Sequence, residues 1–340
     1  MNQTVKLDRK GYIDIAKGLL IILVVVGHSK IENFDYIYWF HMPAFFIISG
    51  FLFKPFQLTE IKAWLNKTFS RFLIPYIAFY IISWLLLTML NYDKITFKSI
   101  IKDFIMFVYG GRAIGGVYWY VTCLIVTQLI FSILQVKLKK KYVLICLVTA
   151  YIIGHLESIY ILPSSDYYNM PMRFKFPWNI DVSLVALIYF GIGFYCKDLI
   201  NSIYTKPKVL MTTLTGLGCS VLIIISELGI LKYSLDMKYS QYRHLLLDLC
   251  IPVLFTVFVL LISMLMDKRS NLVGYIGKQS LIIMYLHLPI NTVLQSIFHY
   301  NSYMFILVGI VFPLICSIIF EKNPITENIL LGKVTIVKAQ

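Results

Sequence analysis

The chain has 340 residues, of which 59% are hydrophobic, well above the roughly 45–50% of ordinary soluble domains. A soluble fold of this length could not bury so much apolar surface, so the composition excludes an ordinary globular protein and favours a membrane protein. The net charge of +14 fits either a nucleic-acid partner or basic segments that face an anionic membrane leaflet.

The apolar residues fall into blocks that are long enough to cross a hydrocarbon core of about 30 Å. They predict an all-α integral membrane protein that forms one domain over residues 1–340. The predicted spans number ten and lie near 12–28, 36–53, 72–90, 117–136, 142–156, 182–200, 209–227, 249–266, 281–298 and 303–320. Because only residues 321–340 follow the last block, we expect no appended soluble domain.

The amino terminus resembles a signal peptide, since Lys6, Arg9 and Lys10 precede an apolar stretch. No small-residue cleavage site follows, and a second apolar block begins at once. We therefore expect the first helix to be retained.

Lysine and arginine are concentrated in alternate segments between the apolar blocks. The segments at 6–10, 54–71, 137–141, 197–208, 268–278 and 322–338 are rich in them, whereas the segments that alternate with these carry acids that nearly offset their cations. The positive-inside rule therefore predicts that both termini are cytoplasmic. Because this topology accounts for the net charge, we expect no nucleic-acid partner.

The first span carries ionisable residues in an otherwise apolar helix. Asp14 and Lys17 lie within it and His28 lies at its end, and such groups in a membrane are costly and usually functional. At about 100° and 1.5 Å per residue, Lys17 and His28 share one face and lie about 16 Å apart along the axis. The sequence therefore predicts a polar stripe along this helix. A purely structural Asp14–Lys17 ion pair near the interface is the alternative interpretation.

His28 is the side chain of this stripe that titrates near neutral pH. It could act as a general base toward a hydroxyl, or it could carry an acyl group transiently as a nucleophile. Glu32 lies one turn later and would orient His28 if the helix continues. Taken alone, an interfacial histidine without a catalytic role is the simpler interpretation.

Two longer segments between spans carry patterns of their own. Residues 96–109 have amphipathic helical spacing, which predicts a helix on the membrane surface. In the glycine-rich segment 110–116 the lysine and helix start of a phosphate-binding loop are missing, so a flexible connection is the favoured interpretation. Residues 157–181 interleave aromatic and polar groups, which suits a sugar as well as an interfacial aromatic belt.

The six cysteines fall within predicted spans, without the paired spacing of a redox or zinc motif. We expect them to be inert, buried thiols. The sequence indicates no metal site.

Several motifs in chain order together resemble the membrane acyltransferase-3 family. The family's basic residue, ten intervening positions and histidine are matched by Lys17 and His28. The surrounding residues fit its branch of sugar O-acetyltransferases described as fucose 4-O-acetylase-like: Asp14, Gly18, Gly27 and the run from Phe40 to Gly50, which contains His41 and Ser49. Later, weaker matches are Arg71 with Pro75, Trp119 with Tyr120, and the run from Ser280 through His287 to Pro289.

The resemblance implies an enzyme that moves acetyl from cytosolic acetyl-CoA, its acyl donor, to a hydroxyl of a cell-surface or lipid-linked polysaccharide sugar. It implies the plasma membrane of a bacterium, with membrane lipids and polysaccharide synthesis and export machinery as further partners. The candidate catalytic residues are His28, Lys17 and Asp14, and the candidate supporting residues are His41, Ser49, Arg71, Trp119, Tyr120, His287 and Glu32. The family often has Trp-Phe-Leu where this chain has Trp119-Tyr120-Val121, which leaves the role of Tyr120 open.

Two other functions fit the same pattern of polar groups within spans. A lipid-linked glycan flippase or another membrane carrier is the first, and a scaffold for polysaccharide export is the second. The presence of both Lys17 and His28 argues against the scaffold.

Overall fold

A computed structural model describes residues 11–32, 34–90, 95–114, 116–162, 176–267 and 270–332. Its helices are α1 (Gly11–His28), α2 (His41–Leu52), α3 (Ile61–Thr68), α4 (Ile74–Leu90), α5 (Phe97–Tyr109), α6 (Tyr118–Lys137), α7 (Lys140–Leu156), α8 (Ile180–Tyr195), α9 (Lys197–Tyr204), α10 (Val209–Glu227), α11 (Leu247–Met266), α12 (Asn271–Lys278), α13 (Ser280–Ile297), α14 (Ser302–Phe320) and α15 (Pro324–Leu331). A π-helical turn at Phe69–Leu73 joins α3 to α4, and another at Glu157–Ile161 extends α7.

Within these described ranges, nine helical stretches are long and apolar enough to cross a membrane. They coincide with nine of the ten predicted spans, and the all-α membrane fold is confirmed. The span predicted at 36–53 is shorter than expected, because α2 has only 12 residues. A turn at Asp35–Ile37 delays its start, and extended backbone at Phe53 ends it.

The short helix α2 packs against α8 in the interior of the helix bundle. A Cβ atom on Gly50 would overlap the Phe190 carbonyl, and one on Gly193 would overlap the Ile47 carbonyl. Small residues permit this close approach of helix backbones in a membrane. This packing fixes the position of α2, which lies beside α1. The polar side chains of α2 can therefore line a space between the two helices.

Helix α1 contacts α2, α11, α12, α13 and α14, so it lies at the centre of the bundle. Its tightest contact is with α12, where a Cβ on Gly18 would overlap the Val273 carbonyl and one on Gly277 would overlap the Asp14 carbonyl. This crossing brings Lys278, the last residue of α12, to the turn of α1 that carries Asp14 and Lys17.

The predicted helix at 96–109 is confirmed as α5, and its apolar residues are exposed. Asp103 on its other face accepts a hydrogen bond of 3.0 Å from the Trp84 indole of α4. Its location on a membrane surface stays a prediction.

The glycine-rich segment after α5 is a packed turn, and the expected flexible connection is wrong. Arg112 is buried there, and its backbone N–H donates a hydrogen bond of 3.0 Å to the Asn179 side chain. Gly111 has a positive φ, and a Cβ on it would overlap the same Asn179 side chain. The glycine therefore serves a fixed close contact.

Two further expectations are corrected or limited. Cys123 and Cys219 are buried, but Cys250 is exposed, because it lies on a face of α11 that does not pack against the bundle. Most of the aromatic segment predicted to suit a sugar, at 163–175, lies outside the described residues.

Candidate active site

A cavity of about 1310 Å³ runs along α1 and is lined by both Lys17 and His28. Sites for a single small ligand are typically about 300–1,000 Å³, so the space is large enough for two substrates. Of the predicted site residues, those that line it are Lys17, His28, His41, Ser49, Arg71, Trp119 and Tyr120. The predicted polar stripe of α1 therefore faces one continuous cavity.

Asp14 lies behind Lys17 and does not line the cavity. Its carboxylate is buried and forms an ion pair of 3.0 Å with the Lys17 ammonium, which is partly exposed. An ion pair of this kind lowers the cost of keeping both charges away from water. Asp14 thus holds the Lys17 ammonium at the cavity wall.

His28 donates its Nδ1 proton to the Val24 carbonyl, one turn earlier in α1, over 2.8 Å. A carbonyl can only accept, so this bond places the proton of a neutral imidazole on Nδ1 and leaves a lone pair on Nε2. The Tyr38 hydroxyl donates to the neighbouring Gly27 carbonyl over 2.6 Å. The backbone around His28 is thereby held on two sides.

His41 and His287 are oriented in the same way as His28. Their Nδ1 atoms bond to the carbonyls of Ile37 and Ile283 over 2.6 and 2.9 Å. His287 is fully buried outside the cavity, with its ring centroid 5.1 Å from that of His28. The packing of α1 against α13 thus brings together two histidines that are remote in sequence.

Glu32 is exposed and does not line the cavity. The condition for its predicted role is not met, because α1 ends at His28 and Lys30 takes a left-handed conformation. The chain turns away before Glu32 could reach His28.

The cavity end beside the start of α1, which we call the basic mouth, is lined by Lys17, Lys54, Lys67, Arg71 and Lys278. Arg71 lies in the π-helical turn, which forms because Pro75 has no N–H to donate to the Arg71 carbonyl. The Arg71 backbone is covered by Gly332 at the end of α15, where a Cβ would clash. The acids that line the cavity all lie at its opposite end.

That opposite end, the aromatic mouth, is lined by Tyr36, Tyr38, Trp39, Tyr233 and Tyr239, with Asp35, Glu227, Asp236, Lys30 and Lys238 among them. Trp39 packs edge-on against Tyr233, with ring centroids 5.1 Å apart. Burial raises the pKa of the Asp236 carboxyl above its ordinary value, although Lys238 nearby opposes the shift. Aromatic faces beside hydrogen-bonding groups suit a polyhydroxyl ligand, whose C–H faces stack while its hydroxyls need partners.

Between the two mouths, the Ser49 and Tyr120 hydroxyls form a hydrogen bond of 3.2 Å. Tyr120 packs against Phe45 and Phe46 of α2, so it is fixed across the cavity from α1. Its hydroxyl gives the middle of the cavity a polar group that the usual phenylalanine of the family lacks.

The aromatic mouth contains residues that sequence reasoning missed. The last residues of α10 and the segment after it, together 226–241, carry no motif, yet they form one wall of the cavity. Arg112 and Asp181 form an ion pair buried behind that wall. Arg112 comes from the segment interpreted as a flexible connection, and Asp181 from the segment that suits either a sugar or an interfacial aromatic belt. Both are charged residues just before predicted spans, and this position is the sequence signal that could have found them.

Comparison with known protein families identifies the family of this chain. The model of an acyltransferase domain family matches residues 10–322, nearly the whole chain. The chain belongs to the acyltransferase-3 family. No significant match was found among curated proteins or among solved structures.

The protein is therefore a multi-pass membrane acyltransferase. Family membership favours transfer chemistry over the flippase or carrier alternative. The matched range contains α1 with Lys17 and His28, and also the wall at 226–241. Among the described residues, no group of three or more metal-ligating side chains is placed to bind a metal ion.

Proposed function

We propose that the protein is an O-acetyltransferase that moves acetyl from cytosolic acetyl-CoA to a hydroxyl of a cell-surface or lipid-linked polysaccharide sugar. The observation that carries the proposal is the single cavity that connects the basic mouth to His28 along α1. The fucose 4-O-acetylase-like branch and the plasma membrane of a bacterium are part of the proposal.

The donor binds at the basic mouth, which faces the cytosol. Its phosphate groups suit a cluster of cations that includes Lys67 and Arg71, because charge-assisted hydrogen bonds to phosphate are strong. The flexible thioester arm then follows the cavity toward the aromatic mouth. Lys17, held by Asp14, binds a phosphate of the donor, because it lies about 16 Å from His28 along α1.

The acceptor hydroxyl meets the thioester beside His28. Nε2 of His28 removes the hydroxyl proton as the oxygen attacks the thioester carbonyl. The carbon–sulfur bond breaks, and the proton passes from His28 to the departing thiolate. The Nδ1 bond to Val24 keeps the ring in the tautomer that this step needs.

Purified protein in lipid vesicles, given acetyl-CoA with a labelled acetyl group, tests the proposal. The acceptors are p-nitrophenyl glycosides of common hexoses, fucose included, and lipid-linked oligosaccharide. We expect labelled ester on at least one acceptor, and much slower formation of labelled ester with Lys17→Ala or His28→Ala. Lys141→Ala and His299→Ala are matched controls, since both residues are exposed and lie away from the cavity.

Unchanged labelling in both site variants would overturn the site assignment. No labelling of any acceptor, combined with movement of the lipid-linked oligosaccharide across the vesicle membrane, would favour a flippase. Labelled acetyl trapped on His28 by rapid denaturation would make His28 a covalent carrier rather than a base.

A further inference from the structure

The wall of the aromatic mouth contains a tight hairpin at 236–241, closed by backbone hydrogen bonds between Asp236 and Gln241 of 3.1 and 2.8 Å. The residues that line the cavity from this hairpin are Asp236, Met237, Lys238, Tyr239 and Gln241. Lys238 is also close enough to His28 for an electrostatic interaction. The hairpin therefore borders the point at which the acceptor hydroxyl must lie.

Ser240 is the one residue of this hairpin that points away from the cavity. It is fully buried and has a φ of 56°, in the left-handed region that non-glycine residues rarely adopt. Such a conformation persists only where surrounding contacts hold it. The contacts of Ser240 are therefore the ones that determine the shape of the hairpin.

Those contacts come from three distant parts of the chain. Arg112 donates a hydrogen bond of 3.0 Å to the Ser240 hydroxyl, which in turn donates to the Asp181 carboxylate over 3.3 Å. Arg112 and Asp181 form a buried ion pair with each other. The Ser158 hydroxyl donates to the Ser240 carbonyl over 2.6 Å.

A buried ion pair is a costly way to stabilise a fold, since apolar residues of similar size often serve as well or better. Its value here is geometric, because two charged groups with fixed partners define one position for the Ser240 hydroxyl. The start of α8 and the turn after α5 supply these groups, and both are rigidly packed through Asn179 and Gly111.

We propose that the hairpin at 236–241 is a preformed wall of the acceptor subsite, and that Arg112 and Asp181 are positioning residues that hold it through Ser240. The acceptor is a sugar whose hydroxyls bind the polar side chains of this wall. This inference rests on the proposed function, because it assigns the acceptor to the aromatic mouth.

Ser240→Ala tests the proposal with the ion pair left intact. The variant removes the hydroxyl but keeps both charges paired, so the fold is retained. We expect the KM for the p-nitrophenyl glycoside acceptor to rise about three- to tenfold. The KM for acetyl-CoA and the slow hydrolysis of acetyl-CoA by water should not change. Ser202→Ala, at an exposed serine of α9, is the matched control.

Hydrogen exchange gives a second measurement that does not depend on transfer. Amides of residues 236–242 should exchange faster in Ser240→Ala, while those of α1 and α2 should not change. The double variant Arg112→Met, Asp181→Leu, which removes both charges together, should behave like Ser240→Ala.

A rise in the KM for acetyl-CoA equal to that for the acceptor would overturn the assignment, since a general loss of structure would explain both. Unchanged acceptor KM with unchanged exchange would overturn it as well. If the wild-type protein labels no acceptor, the proposed function fails. The exchange experiment then decides the positioning role alone: faster exchange confined to 236–242 supports it, and unchanged exchange overturns it.

Discussion

The two mouths of the cavity differ in how their charges are held. Among the described residues, five cations and no acids line the basic mouth, so the charges that face the space there are of one sign. At the aromatic mouth cations and acids alternate between tyrosine and tryptophan rings, and the charged pair that shapes the wall is buried behind it. The proposed function therefore assigns a polyanionic donor to the basic mouth and a neutral acceptor to the aromatic mouth.

The largest effect should come from His28, beside which we propose that donor and acceptor meet. His28→Ala removes the proposed base, and general-base catalysis contributes about 10²–10⁴-fold. We expect kcat for transfer to fall by at least about 10²-fold, with the KM for acetyl-CoA little changed. Steady-state transfer to a p-nitrophenyl glycoside measures it, with His299→Ala as the control. An equal loss in the control would contradict a specific role.

Lys17 should show a smaller effect, confined to the donor. Lys17→Ala removes a charged hydrogen-bond donor, and such bonds contribute about 1.5–3 kcal/mol. We expect kcat/KM for acetyl-CoA to fall about 10- to 100-fold, with partial recovery in Lys17→Arg, which keeps the charge opposite Asp14. Equal activity of the alanine and arginine variants would show that the charge of Lys17 is not what matters.

The salt dependence of KM should distinguish the two mouths directly. Raising the salt concentration from 0.1 M to 1 M shortens the Debye length from about 10 Å to about 3 Å. The attraction between the donor and the basic mouth is then screened, so the KM for acetyl-CoA should rise several-fold over this range. The KM for a neutral glycoside should stay constant. Arg71→Ala should flatten the salt dependence of the donor KM, since Arg71 lines the basic mouth. A salt-dependent acceptor KM would contradict the proposed division of the cavity.

Tyr120 lies between the mouths and should show the smallest effect. Tyr120→Phe restores the residue usual in the family and removes the hydroxyl bonded to Ser49. A single hydrogen bond contributes about 1 kcal/mol, so we expect kcat to change less than about tenfold. Tyr142→Phe, at an exposed residue of α7, is the matched control. A loss as large as that of His28→Ala would place Tyr120 among the catalytic residues.

Much of the framework could be predicted from the sequence because it depends on local pattern. Nine of the ten predicted spans appear as helices of the required length. The exception, α2, begins late and ends early through turns at its two ends, which average hydropathy does not detect. Its residues are apolar because they are buried in protein, and hydropathy cannot distinguish that environment from lipid.

The candidate site likewise contains residues that local pattern predicts and residues that it does not. The polar stripe of α1 was predictable because Lys17 and His28 belong to one helix, whose period determines the face they share. The roles of Arg112, Asp181 and Ser240 were not, because they meet only when α8, the turn after α5 and the segment after α10 pack together.

The sequence by itself determined the membrane-spanning helices and the alignment of Lys17 with His28, since both follow from helical geometry and hydrophobicity. Only the tertiary structure decided that this stripe faces a cavity with two unlike mouths, and that His287 rather than Glu32 lies beside His28. The physical reason is that close helix crossings at residues such as Gly18, Gly50 and Gly277 set which faces meet, and such contacts join residues far apart in the chain.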